Sequence, residues 1–149
     1  PEWIDFPRTG NDWSFHYARR QWSLAGDKKL KYKYLLDFDT AMIHLIKKSK
    51  IYKYRPQSLY QHVKQQVLIF GRGEYVFAFN FSPSVSYPDF QFNAPPGRYN
   101  IVLDTDCLKF GGFARNSEET DHFTIPENEQ NMLSVYLPSR SAIVFKKGK

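Results

Sequence analysis

A chain of 149 residues holds one ordinary domain, or a small domain with an appendage. With 42% hydrophobic and 24% charged residues it is not a chain disordered throughout, and 17% aromatics favour β-sheets, where rings pack well on a pleated surface. The net charge of +6 is local: Lys28, Lys29, Lys31, Lys33, Lys47, Lys48, Lys50, Lys53, Arg55 and Lys64 fall in one third of the chain. Such a stretch can attract phosphate-rich partners. No nucleic-acid motif accompanies it, so a solvated helix face plus a lysine-rich loop is the preferred reading, and no nucleic-acid partner is expected.

Cys107 is the one cysteine, which rules out an internal disulfide and favours a reducing, cytoplasmic compartment over export. No apolar run approaches the roughly 20 residues that span a bilayer, so no membrane association is expected. Pro1–Gly10 lacks the basic start and apolar stretch of a signal peptide. Because the first residue is not Met, the chain is expected to be processed or cut from something longer.

Residues 1–26 are aromatic and irregular. Trp3, Phe6, Trp13, Phe15, Tyr17 and Trp22 recur without a period of 2 or 3.6, which predicts loop with short helical turns, one of them at Arg19–Trp22. Leu30–Lys48 is the predicted helix. Leu35, Phe38, Met42 and Leu45 line one face, Ile46 widens it, and Asp27 is the candidate N-cap. Residues 51–66 are polar and interrupted by Pro56, which predicts a linker.

From Val67 the period becomes 2. Val67–Phe70 is a short apolar strand and Gly71–Gly73 a hairpin connection. Tyr75, Phe77, Phe79 and Phe81 alternate with smaller residues, so this aromatic face is expected to be buried. Further strands are predicted at Phe90–Phe92, at Tyr99–Leu103, at His122–Ile125, at Met132–Leu137 and at Ala142–Lys146, with turn signals between them. About seven short strands at regular spacing predict an antiparallel β-sandwich or small barrel.

Catalytic patterns are scarce. Asp37 and Asp39 point to different helix faces. Asp104 and Asp106 sit at a strand end, where a turn in which Asp bonds its own backbone is preferred over an acid–base pair. His16, His44, His62 and His122 are scattered, with no Cys or second His at ligand spacing, so no metal and no cofactor are expected. Cys107 has no activating neighbour in sequence and reads as a small buried residue. Gly71-Arg72-Gly73 lacks the rest of a phosphate loop, and G-x-S-x-G is absent. In the first zone, Trp3, Asp5, Trp13, Tyr17, Arg19, Arg20 and Trp22 offer ring faces and polar groups suited to sugars. The alternative, preferred on composition alone, is that these aromatics plug a join between two domains.

The stretch PEWIDFPRTGNDWSFHYARRQWSL at 1–24 closely resembles a signature of the 1,4-α-glucan branching enzymes of the α-amylase superfamily. LKYKYLLDFDTAMIHL at 30–45 resembles a late helix of their (β/α)8 barrel. VLIF and EYVFAFNFSP within 67–83, GRYNIVLDTD at 97–106, FGGFAR at 110–115, DHFT at 121–124 and LPSRSAIVF at 137–145 resemble their all-β carboxy-terminal domain. PEWIDFPR is closer to the plant and animal-like group than to the enterobacterial one. Thr9 stands where Glu is common, and Asp12 where Gly or Asn is usual.

The resemblance implies a mainly β fold: an antiparallel β-sandwich (67–149) preceded by a loop and helix left over from a (β/α)8 barrel (1–50), with 51–66 between. It implies that an α-1,4 glucan is cut, held on an aspartate and transferred to a 6-hydroxyl, making the α-1,6 branches of glycogen or starch. The catalytic carboxylates would lie upstream of Pro1, so the chain alone is expected to be inactive, since a barrel does not close from one helix. The implied partners are α-glucans such as glycogen, amylose and amylopectin, together with the chain's own upstream barrel. The implied location is cytoplasm, or plastid in a plant. Without barrel neighbours, the helix is expected to pack on the sandwich or on a second copy. A stand-alone carbohydrate-binding sandwich is the other reading.

Overall fold

The structure, a computed structural model, describes residues 4–18 and 22–148. Two helices, α1 (Trp22–Gly26) and α2 (Tyr32–Ser49), precede eight strands: β1 (Gln57–His62), β2 (Val67–Arg72), β3 (Tyr75–Asn80), β4 (Tyr87–Asn93), β5 (Arg98–Asp104), β6 (Asp121–Glu127), β7 (Gln130–Leu137) and β8 (Ser141–Lys147). The strands pair antiparallel in the order β1-β2-β3-β8-β5-β6-β7-β4. Only three residue pairs, Arg98–Asn100 with Asp121–Phe123, join β5 to β6. The rest of β6 pairs with β7, so β6 turns the corner between two halves that face each other. The outer strands β1 and β4 then meet, with the Tyr60 and Phe90 rings edge-to-face at 5.0 Å. The result is the expected sandwich. Its interior is filled from alternate positions, among them Ile69, Ala78, Phe92, Tyr99, Leu133, Leu137, Ile143 and Phe145.

A second apolar layer lies outside the sheet. Phe38, Ala41, Met42, Leu45 and Ile46 of α2 pack on Tyr75, Phe77, Leu103 and Val144, with Ile51 plugging the far end. The helix thus packs on the sandwich. Its buried face is turned from the one the periodicity predicts: Leu35 is 55% exposed and Ala41 takes its place. Asp27 does not cap α2. Its carboxylate accepts the Lys29 N–H (2.9 Å), capping the turn before the helix, and Lys31 holds the N-cap position without a side-chain bond. At the other end Lys50 adopts φ 51, its N–H reaching the Ile46 carbonyl at 3.0 Å, while Lys47 and Lys48 meet the negative end of the dipole.

β3 corrects a second expectation. Its interior face is Val76, Ala78 and Asn80, small enough for the thin space between the halves. The aromatic row faces outward: α2 covers Tyr75 and Phe77, whereas Phe81 is 59% exposed. The Phe70 ring stacks on both Phe77 (4.9 Å) and Phe79 (5.9 Å), and Phe79 stacks on Phe81 (5.7 Å). A bulge between Ile101 and Leu103 turns Leu103 from the core to the helix side, opposite Val144. The stretch 51–66, expected as a linker, holds a 3-10 turn (Ile51–Lys53) and β1. β1 is an edge strand with only Leu59 and Tyr60 half-buried, so it lacks the alternation that marks a strand in sequence. The Gly71–Gly73 connection is likewise displaced: Gly71 and Arg72 pair with Val76 and Tyr75, and Gly73 begins the turn at φ 64.

His122 lies at the corner, opposite Tyr99 and edge-on to Phe145 at 5.4 Å. Its Nε2 is buried with no hydrogen-bond partner. Burial pushes its pKa below the ordinary value, against smaller upward pulls from the Ser134 backbone and Asp121. A depressed folded pKa means that the unfolded chain takes up the proton first. The associated stability is therefore present above about pH 6.5 and is lost as pH falls towards the folded value. The urea midpoint should drop between pH 7.5 and pH 5.5, and His122→Phe should lessen that drop. An identical drop in the variant would contradict the assignment.

Candidate functional site

The residues predicted to border sugar fall in the segment before α2. Asp5 organises it. Its carboxylate accepts Arg8 Nε (3.1 Å), Arg8 Nη2 (3.2 Å) and Asn11 Nδ2 (3.1 Å), and its N–H donates to the Tyr17 carbonyl (3.1 Å). The Arg8 N–H donates to Asn11 Oδ1 at 2.9 Å, closing a 3-10 turn at Thr9–Asn11. Asp12 (φ 50) and Trp13 (φ 56) are both left-handed, and the Trp13 N–H returns to the Arg8 carbonyl at 3.1 Å. The hydrogen bond from Arg8 holds the Asp5 carboxyl below the usual carboxylate range.

Asp5 is therefore the loop's own anchor. The ring-bearing residues differ: Trp13 (65%) and Trp22 (73%) are widely exposed and Tyr17 is exposed beside His16, its ring 4.5 Å away. Trp22 opens α1, which packs on α2. Trp3, Arg19 and Arg20 lie outside the described residues. Sequence reasoning missed Arg8 and Asn11 as the partners of Asp5, and Phe6 and Phe15 as further exposed rings. The D-x-x-R spacing at Asp5–Arg8 was the available signal. Exposed indole and phenol faces can stack on the C–H faces of pyranose rings, while the Asp5 carboxylate is already taken up by Arg8 and Asn11.

The other carboxylate pair is closed off. Asp104 Oδ1 accepts the Asp106 N–H (2.8 Å), the turn predicted from sequence, and Oδ2 accepts Asn116 Nδ2 (3.3 Å). Asp106, 5% exposed, accepts the N–H groups of Phe113 (3.3 Å) and Arg115 (3.0 Å) and both Arg115 Nε and Nη2 (2.9 Å each). Burial pushes the Asp104 carboxyl up. Burial also acts upward on Asp106, but the Arg115 and backbone hydrogen bonds outweigh it and hold that carboxyl low. A Cβ at Gly112 would lie 2.2 Å from the Asp106 carbonyl oxygen, so the loop backbone packs directly on the Asp106 main chain and only glycine fits there. The pair fastens the loop between β5 and β6. Among the described residues, no three His, Cys, Asp or Glu side chains converge to hold a metal, and no helix is long and apolar enough to cross a membrane.

Asp106→Asn should cost roughly 2 kcal/mol, the scale of losing charge-assisted bonds to a mostly buried carboxylate. Gly112→Ala should cost at least as much, because backbone must move. Denaturant midpoints within about 0.5 kcal/mol of the parent, the scatter of ordinary surface substitutions, would show that the loop does not depend on this lock.

Residues 60–148 match the alpha amylase C-terminal all-beta domain, a span that opens inside β1 and closes after β8. Over 97% of its length the chain is similar to 1,4-alpha-glucan-branching enzymes. It is 39% identical to the chloroplastic/amyloplastic enzyme of Oryza sativa, 42% to that of Candida glabrata and 44% to that of Aspergillus oryzae. It covers 19%, 21% and 22% of those proteins, about one fifth of the length of each. With most of its residues matched and the sandwich in place, the chain belongs to the alpha amylase C-terminal all-beta domain family.

Proposed function

We propose that this chain is the carboxy-terminal, non-catalytic part of a 1,4-α-glucan branching enzyme, and that its sandwich covers and braces one end of the catalytic barrel. The similarity of 97% of the chain to about one fifth of each branching enzyme is the observation that carries this reading. Residues 1–50 finish the barrel, 51–66 lead from it while already adding β1 to the sheet, and 67–149 complete the sandwich. The substrate is an α-glucan, cut at an α-1,4 bond and rejoined at a 6-hydroxyl by carboxylates outside this chain. The enclosure of Asp104 and Asp106 supports a bracing role over a chemical one. Trp13, Tyr17 and Trp22, with Trp3, Arg19 and Arg20, border the glucan path, and Asp5 holds their loop in shape. The protein works in the cytoplasm, or in a plastid if its source is a plant.

A chimaera tests this. The matching fifth of the Candida glabrata relative is replaced by this chain, and α-1,6 linkages formed on amylose are measured. The chimaera should branch, and the 149-residue chain alone should not. A folded chimaera more than about a hundredfold slower than its parent, the cost of a misplaced site, would count against the reading. So would linkage formation by the chain alone. In the chimaera, Trp13→Ala and Tyr17→Ala should raise KM for amylose severalfold with kcat little changed, as loss of stacking near the entry path requires. An unchanged KM would remove these residues from the path.

A further inference from the structure

Between Thr40 and Gly73 the chain has no Asp or Glu, but it has Lys47, Lys48, Lys50, Lys53, Arg55, Lys64 and Arg72. The fold adds cations from elsewhere. Arg72 pairs with Tyr75 and Tyr75 with Lys146, so β2, β3 and β8 place two cations in one row across the outer face, with the Lys146 Nζ 5.9 Å from the Tyr75 ring centre. The 3-10 turn Ile51–Lys53 is strapped beside this row at three points. Ile51 is buried in the same apolar cluster as Tyr75. Arg72 donates Nε to the Tyr54 carbonyl (2.7 Å) and Nη2 to the Tyr52 carbonyl (3.4 Å). The Tyr54 ring lies over Gly73, where a Cβ would come within 2.9 Å of it. This turn is held rigidly, yet Lys50, Tyr52, Lys53, Tyr54 and Arg55 are all exposed. Among the described residues, Lys50, Lys53, Arg55 and Lys146 are in none of the ion pairs.

We propose that this end of the sandwich binds phosphate groups carried on an α-glucan, an assignment that rests on the glucan reading above. A phosphate monoester carries about −1.5 to −2 charge near neutral pH and presents oxygens to several ammonium and guanidinium groups at once. The exposed Tyr52 and Tyr54 rings offer faces to the neighbouring sugars. Holding the turn in advance removes the ordering cost that flexible lysines would add. The geometry favours sparse phosphates over the continuous backbone of a nucleic acid. The row from Arg72 to Lys146 spans two strand spacings, roughly 10 Å. The other lysine group, Lys28–Lys33, lies at the opposite end of the 18-residue α2, roughly 27 Å away.

The test is affinity electrophoresis of the 149-residue chain in phosphorylated amylopectin, in the same polymer after phosphatase treatment, and with a single-stranded oligothymidine. The phosphorylated polymer should bind roughly tenfold tighter than the treated one at low salt, as expected for three exposed charge contacts. That difference should vanish near 1 M salt, where screening acts within about 3 Å. The variant K50E/K53E/R55E should abolish it, and K28E/K29E should not. All five positions are exposed, and circular dichroism checks that the variants fold. Equal binding of the two polymers, a difference that survives in K50E/K53E/R55E, or tighter binding of oligothymidine than of phosphorylated amylopectin would overturn the proposal. The chimaera keeps the two readings apart: with K50E/K53E/R55E it should still branch unphosphorylated amylose, so a failed gel comparison with an active chimaera sinks this inference alone.

Discussion

The central strands of this sandwich are apolar on both faces, and the rest of the molecule is arranged around that constraint. β3 sends Val76 and Ala78 inward and Tyr75 and Phe77 outward. On β8, Ile143 and Phe145 point in and Val144 points out. Facing the other half of the sandwich satisfies only one side. The outer side needs its own cover, at roughly 25 cal/mol for each Å² of apolar surface removed from water. α2 supplies it, and the bulge in β5 brings Leu103 to the same layer. The helix is thus part of the β domain's packing, even though its sequence resembles the barrel's.

Polar groups fix what the apolar layers leave free. Asn80, inside the sandwich, donates to the carbonyls of Val85 and Leu137 and accepts the Ser82 N–H, tying the end of β3 to the β7–β8 connection. Asp106 and Arg115 do the same for the loop after β5. Asp5 repeats the device on an exposed loop with Arg8 and Asn11. In each case one short polar side chain collects several donors, or several acceptors, from a connection that has little apolar surface to bury. Acidic and amide side chains thus serve as fasteners at three connections.

Much of the fold could be read from pattern because pattern records burial. The α2 periodicity and the alternation in β5 and β7 came through, since each has one face drier than the other, and β8 came through as a short apolar run buried on both faces. Three features were hidden for identifiable reasons. β1 is a polar edge strand, recognisable only by its pairing with β2. Both faces of β3 are apolar, so alternation could not say which was inside. The N-cap of α2 is a lysine without a capping bond, and the aspartate that looked suitable closes the preceding turn. For the sugar-bordering residues, aromatic type was legible and exposure was not. Asp5 looked like a group for sugar hydroxyls because sequence does not show that Arg8 and Asn11 already occupy it.

If the helix and the sheet are one packed unit, α2 should not open without the sandwich. Native-state hydrogen exchange reads this directly. The amides of Ala41–Ile46 should exchange through the same global opening as those of Ala78 and Ile143, with the same dependence on denaturant. Exchange of the helix amides through a separate opening of much lower free energy, while the strands stay protected, would contradict the account.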